Sequence, residues 1–401
     1  MTSKRNMVIL FITIVVMMIG FGIVIPILPF YVESMGVSGS GLGFLIGSFS
    51  LMQLIFSPVW GGLSDRIGRR PVLMIGVFGN AIAMLWMGLS GNYWMLFTAR
   101  VTAGILSSAT FPTAMAFISD STSEENRGGG MGAIAAAMGV GMVLGPGIGG
   151  WLGDINLSIP FFAASGLSLL VLVFIALALP ESLAPEKRDT GGKLRGPNFK
   201  GMWQSLFGPL GYLMFLSFLI SFGLTNFESI FGLYVLEQFG YGPADVGTLL
   251  VVMGITAVIV QGGLTGPITK RWGECRVIQG ALLVSAIGFV LMLGAFNYGT
   301  LVATIVFFII GNTLLRPTTS ALVSKRSNEK EQGAMLGLHN SFMSLGRIAG
   351  PLWAGSVFDH HMSLPYVTGA IAMGIGLVTT LFWLTCRPKT EIELDVSEVQ
   401  V

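Results

Sequence analysis

The 401 residues are 53% hydrophobic and only 10% charged, with a formal net charge of +2. Soluble domains carry about 25% charged residues, so an ordinary water-soluble fold is excluded, and a charge this near zero gives no footing for nucleic acid. Gly (56) and Met (22) are abundant, and Gly is commoner in membrane helices than in soluble ones.

A bilayer crossing needs about 20 apolar residues. Such runs occur at 7–31, 42–62, 72–91, 93–117, 130–152, 160–180, 209–236, 244–268, 276–296, 299–322, 334–357 and 365–386. The first follows Lys4 and Arg5; it is too long for a signal peptide and has no small-residue cleavage site. With both termini in the cytoplasm, 19 of the 22 Lys and Arg fall in cytoplasmic segments, and none falls in an outer loop. The other three, Arg100, Arg316 and Arg347, lie within spans. Cys275 and Cys386 both fall on the cytoplasmic side, which excludes a disulfide framework.

The second half repeats the first at an offset of 205 residues: Gly350-Pro351 falls on Gly145-Pro146, Asp359 on Asp154, Pro317 on Pro112 and Gly273 on Gly68. Duplication in an apolar chain points to a membrane bundle that moves something across the bilayer. The expected fold is all-α, with twelve transmembrane helices in two pseudo-symmetric six-helix bundles. The bundles take residues 1–180 and 208–386, joined by a polar cytoplasmic linker at 181–207 and followed by an acidic, mobile tail at 387–401.

Four segments carry the chemistry. Ile19 to Pro29 in span 1 includes Gly20, Gly22, Pro26 and Pro29. Gly61 to Arg70, a tight turn between spans 2 and 3, holds Asp65, Arg66, Gly68 and Arg69. Arg100 and Gly104 lie in span 4. Gly141 to Gly150 in span 5 presents small residues around Gly145 and Pro146, which allow close helix approach and a kink. At the 205 offset Arg69 becomes Glu274 and Asp120 becomes Lys325. Both charges reverse together, so two equivalent ion pairs are expected, Arg69–Asp120 and Glu274–Lys325, acting in gating rather than stability.

The turn at 61–70 matches a signature of the major facilitator superfamily, and the chain resembles that family from span 1 to span 12. In the family this turn latches the halves when the carrier faces outward. The 141–150 segment resembles the signature of its proton-exchanging exporters, and 19–29 that of its twelve-span drug exporters. Arg100 resembles the fourth-span arginine implicated in proton transfer, although Ala103 stands where a polar residue is common. Phe222 to Ser229 and Gly311 to Pro317 resemble Gram-positive multidrug efflux pumps of the NorA and Bmr type. Two departures stand out: Thr313 replaces an acid, and Arg347 stands where a neutral residue is usual.

A charged side chain within a span costs at least about 2.5–3.5 kcal/mol and is a functional candidate by default. Of Arg100, Glu228, Arg316 and Arg347, only Glu228 readily exchanges a proton. It lies about 12 Å below the outer end of its span and Arg347 about 15 Å below that of its own, so the two can meet; a static ion pair is the bland reading. Candidate substrate contacts are Phe21, Ile25, Phe49, Gln53, Met138, Met142, Phe222, Phe227, Glu228, Phe231 and Asn312, each of which taken singly is more often helix packing. His339 is a proton-relay candidate that reads better as a structural histidine.

The resulting expectation is a proton-driven exporter of amphipathic, often cationic, drug-like compounds. It is monomeric, needs no cofactor or metal, and sits in a bacterial plasma membrane. The alternative is a dedicated exporter of one substrate class, such as a tetracycline-like drug, a sugar or a lipid. No metalloprotease motif, nucleophile elbow or phosphate-binding loop is present, so an enzyme or ATP-driven pump is not indicated.

Overall fold

The computed structural model describes residues 2–122, 124–189, 196, 199–328 and 331–384. Among them the secondary structure is helical throughout, as lipid demands: with no water in the hydrocarbon core, a segment must satisfy its own backbone hydrogen bonds.

The first half contains α1 (Thr2–Ser34), α2 (Gly39–Ile67), α3 (Arg69–Gly88), α4 (Tyr93–Ser107), α5 (Thr110–Ser121), α6 (Glu124–Ile155) and α7 (Ile159–Ala178). The fourth span, expected as one run ending at 117, is broken between α4 and α5 and continues to Ser121. Among its described residues the linker holds a 3-10 turn at Pro185–Lys187 and a short helix, α8 (Phe199–Leu206), which buries Met202 and exposes Trp203.

The second half contains α9 (Gly211–Phe239), α10 (Pro243–Ile259), α11 (Thr265–Leu293), α12 (Tyr298–Arg326), α13 (Gln332–Phe358) and α14 (Leu364–Trp383). A π-turn at Val260–Leu264 joins α10 to α11, and Gly273 interrupts α11 with non-helical angles. The eighth span thus ends at Gly273 and the ninth begins there. The expected tail lies outside the described residues. Cys275 is disulfide-bonded, contrary to the exclusion drawn from composition; the chain's other cysteine, Cys386, is outside the described residues.

The 205-residue repeat is visible in backbone detail. Gly68 (φ 108°, ψ 159°) and Gly273 (φ 77°, ψ 154°) make the same sharp turn with positive φ, a conformation that favours glycine. Asn92 caps α4 by accepting from Met95 N at 3.0 Å, and Asn297 caps α12 by accepting from Thr300 N at 2.8 Å. Leu170, Val173 and Leu177 on α7 are exposed, as are Ile375, Val378 and Phe382 on α14. These aliphatic faces fit lipid, not water.

One buried apolar cluster is confined to the first half, and a larger one runs from the first half through the second. In the first, Leu10, Ile14, Leu73, Val77 and Phe117 are almost wholly buried. In the second, Phe227 packs against Phe231, Phe289, Phe308 and Tyr366.

Candidate functional site

The site is built where the halves meet. At the end bearing the Gly68 turn, here the basic end, Arg69 Nε donates to Asp120 Oδ2 at 2.9 Å and Nη1 lies 2.6 Å from Asp65 Oδ1. Its Nη1 also donates to Ser64 Oγ at 2.7 Å. In the other half Lys325 pairs with Glu274. Both ion pairs read from the repeat therefore form, with opposite polarity. Arg66 is half-buried and makes no hydrogen bond or ion pair among the described residues.

One partner of this turn was missed. Glu181, the first residue of the linker, accepts from Arg69 N at 2.8 Å and Arg70 N at 3.2 Å. It supplies a carboxylate to the positive N-terminus of α3. The signal was available in sequence, an acid directly after the sixth apolar run, but nothing there said which helix end it would reach.

At the opposite end the halves are closed on each other. Within the first half a Cβ on Gly145 would lie 2.8 Å from Gly22 Cα, so α6 and α1 touch backbone to backbone and present one surface to the other half. The carbonyl oxygen of Pro146 abuts Gly247 of α10, and that of Pro351 abuts Gly43 of α2. The prolines of the two glycine–proline pairs thus lie at the seams between halves, while Gly145 and Gly350 pack within their own halves. Trp151 Nε1 donates to Thr248 Oγ1 at 3.2 Å, and Asp359 accepts from Ser40 N at 3.1 Å and from its hydroxyl. Towards the basic end the same helices separate: a Cβ on Gly61, Gly262 or Gly337 would meet nothing within 4 Å.

Between the seams lies a cavity of about 240 Å³. Phe21, Val24, Ile25 and Leu28 give it one face of α1; Ser221, Leu224, Thr225 and Glu228 give it one face of α9. Met142, Asn312 and Met343 complete the apolar and amide wall, and Arg100, Arg316 and Arg347 all reach it. Glu228 forms no ion pair among the described residues, so the bland reading of a closed pair with Arg347 does not describe it. Arg347 is nonetheless the cation that acts on it electrostatically. The Arg100 guanidinium sits 4.5 Å from the Phe49 ring centroid, a cation–π contact.

Of the expected substrate contacts, Phe21, Ile25, Met142, Glu228 and Asn312 line the cavity. Phe227 and Phe231 do not: each is 1% exposed in the second-half core. Phe227 is one residue before Glu228, about 100° around the helix, which turns it away from the cavity. Phe49 instead backs Phe21, at 5.8 Å between ring centroids. Gln53, Met138 and Phe222 are partly buried and also stand off the lining; Phe222 stacks on Phe218. Thr313 is not on the lining either. His339 is 2% exposed and its Nδ1 lies 2.7 Å from Ser217 Oγ, a structural histidine. Among the missed lining residues, Thr225, Leu224 and Ser221 follow from stepping back three, four and seven residues from Glu228.

The profile of the Major Facilitator Superfamily matches residues 10–266 and 213–398. The chain belongs to the Major Facilitator Superfamily. As a superfamily member it is a multi-pass membrane transporter and not an enzyme. It is 31% identical to multidrug resistance protein 1 of Bacillus subtilis over 384 residues, covering 95% of this chain and 97% of that one. It is 28% identical to the quinolone resistance protein NorA of Staphylococcus aureus, covering 93% and 94%. The superfamily fold is shared with an inward-facing bacterial homologue of the human lysosomal transporter Spinster, at a TM-score of 0.74 and 14% identity, covering 95% of both chains.

Proposed function

We propose that the chain is a proton-coupled multidrug efflux antiporter that exports amphipathic, often cationic, compounds by alternating access. The observation that carries the reading is the cavity between the halves, which holds Glu228, is sealed at one end and faces open glycine surfaces at the other. The multidrug resistance proteins to which the chain is similar along its length support efflux. The basic end is cytoplasmic, both termini lie on that side, and the membrane is a bacterial plasma membrane. Residues 1–180 and 208–386 move as two bodies about the linker at 181–207, and the protein acts as a monomer, driven by the proton gradient without a cofactor.

In this cycle an amphipathic substrate enters from the basic end and packs its apolar part against Phe21, Met142 and Met343, flexible and aromatic surfaces that suit varied shapes. Glu228 exchanges its proton for substrate, because the three guanidiniums stay charged. Opening the Pro146–Gly247 and Pro351–Gly43 seams while the ion-paired basic end closes completes the exchange.

The test is ethidium efflux from proteoliposomes under an imposed pH gradient, with Glu228→Gln beside the wild type. Gradient-driven wild-type efflux that the variant loses is the expected result. A variant that remains equally gradient-driven moves the proton site elsewhere. No dye movement at all puts a dedicated exporter ahead.

A further inference from the structure

Within the cavity the charges do not balance. Arg100, Arg316 and Arg347 face it, and Glu228 is the one carboxylate on its lining. Three guanidiniums against one carboxylate leave two positive charges unmatched.

The hydrogen-bond census points the same way. Arg100 is 4% exposed, and its Nε is buried with no acceptor. Asn312 is 5% exposed, and its Nδ2 likewise has none. Arg347 Nη2 donates only to Ser344 Oγ, at 3.0 Å, on its own helix. Arg316 is open to the cavity and makes no hydrogen bond or ion pair among the described residues. Two hydroxyls of the wall spend their protons on backbone: Ser221 donates to Met343 O at 2.6 Å and Thr225 to Ser221 O at 2.9 Å. The buried polar atoms of the wall that lack a partner, Arg100 Nε and Asn312 Nδ2, are donors, and two further guanidiniums face the same space. A cation entering here meets like charge, and Glu228 is the one charged acceptor on the lining. An acidic group meets both what it needs and what the wall lacks, since a guanidinium matches a carboxylate geometrically as well as electrostatically. Leaving such donors unpaired in a buried site is costly.

We infer that the cavity contains a subsite for an acidic group carried by the substrate, a carboxylate, sulfonate or phosphonate, held by Arg100, Asn312, Arg316 and Arg347. Rested on the efflux reading, this narrows its substrates to amphipaths bearing an acid, zwitterions among them, whose cationic end is then left for Glu228.

A matched pair of dyes tests it: rhodamine B, which carries a free carboxylate, and rhodamine B ethyl ester, identical except that the acid is masked. Binding to the purified full chain is read by fluorescence anisotropy, and efflux in proteoliposomes. Wild type binds the acid about ten-fold more tightly than the ester, the factor that one charge-assisted hydrogen bond supplies. Arg100→Gln and, independently, the smaller change Asn312→Ala bring that ratio towards one. Excess inorganic phosphate weakens acid binding if it is the subsite that is occupied. Ester binding equal to or tighter than acid binding overturns the inference, as does a ratio that neither variant changes. Efflux of the ester without the acid also sinks it while leaving the efflux reading standing. If neither dye binds or moves, both fall together.

Discussion

Asp359, the residue that ends α13, accepts a hydrogen bond from the backbone N–H of Ser40 at the start of α2, 3.1 Å away and in the other half of the molecule. Its carboxylate also takes the Ser40 hydroxyl. At the 205-residue offset the arrangement differs: Asp245 stands where Ser40 stands, and it caps its own helix by accepting from Gly242 N at 3.1 Å. One seam therefore has an acid-to-helix clamp across halves and the other does not.

Asp359→Asn removes the charge from the α2 N-terminus, an effect of about 0.3–1 kcal/mol at exposed sites. The population open at that end should rise by a few-fold, read as a spin-label distance distribution across the seam. Burial pushes the Asp359 carboxyl up, but hydrogen bonds from Ser40, its hydroxyl above all, hold it below its ordinary 3.8. A group depressed on folding contributes fully above its ordinary value and loses that contribution as pH falls through the lower folded one. The clamp should thus be insensitive to pH from about 5 to 8, and any opening in that window must come from another group.

Reversing Glu274 to Lys places like charge beside Lys325 and should slow transport. Adding Lys325→Glu restores opposite charge and should recover most of the rate, measured as dye efflux. A double variant no faster than Glu274→Lys would assign these residues a role beyond their pairing.

Gly145→Leu and Gly61→Leu should separate the two ends. The first drives a side chain into Gly22, whose Cα lies 2.8 Å from the added Cβ, and overpacking of this kind costs about 1–3 kcal/mol. It should lower the thermal midpoint by forcing α6 from α1 inside the first half. The second adds its side chain to open space. It should leave the midpoint unchanged yet slow turnover, by obstructing closure at the basic end.

Phe227→Ala removes a ring in contact with four others and should cost about 3–5 kcal/mol of stability, seen as reduced yield and a lower melting point. Phe21→Ala, on the cavity wall, should instead change which dyes are exported while the protein melts normally.

Twelve spans, the division into halves and the two ion pairs were legible because each rests on a strong periodic or repeated signal: long apolar runs, a constant offset, and charges that reverse together. The cavity was legible only in part. Hydrophobicity does not say which side of a membrane helix faces a partner, since lipid and core are equally apolar. Phe227 and Phe222 therefore looked as suitable as Phe21. Glu228 was the usable compass, and a strict helical reading from it would have found Leu224 and Thr225 and discarded Phe227. The reach of Glu181 was hidden for a different reason: besides its neighbours Ser182 and Leu183, it binds backbone atoms more than a hundred residues away.

The opposite polarity of the two ion pairs bears on how the chain assembles. A duplicated sequence invites its helices to dock on the wrong copy, because α3 resembles α11 and α5 resembles the end of α12. Were α3 to settle against α12, Arg69 would meet Lys325; were α11 to settle against α5, Glu274 would meet Asp120. Each error sets like charges together, and repulsion of that kind discriminates between otherwise similar partners. The reversal gives each half a private key to its own helices as they insert.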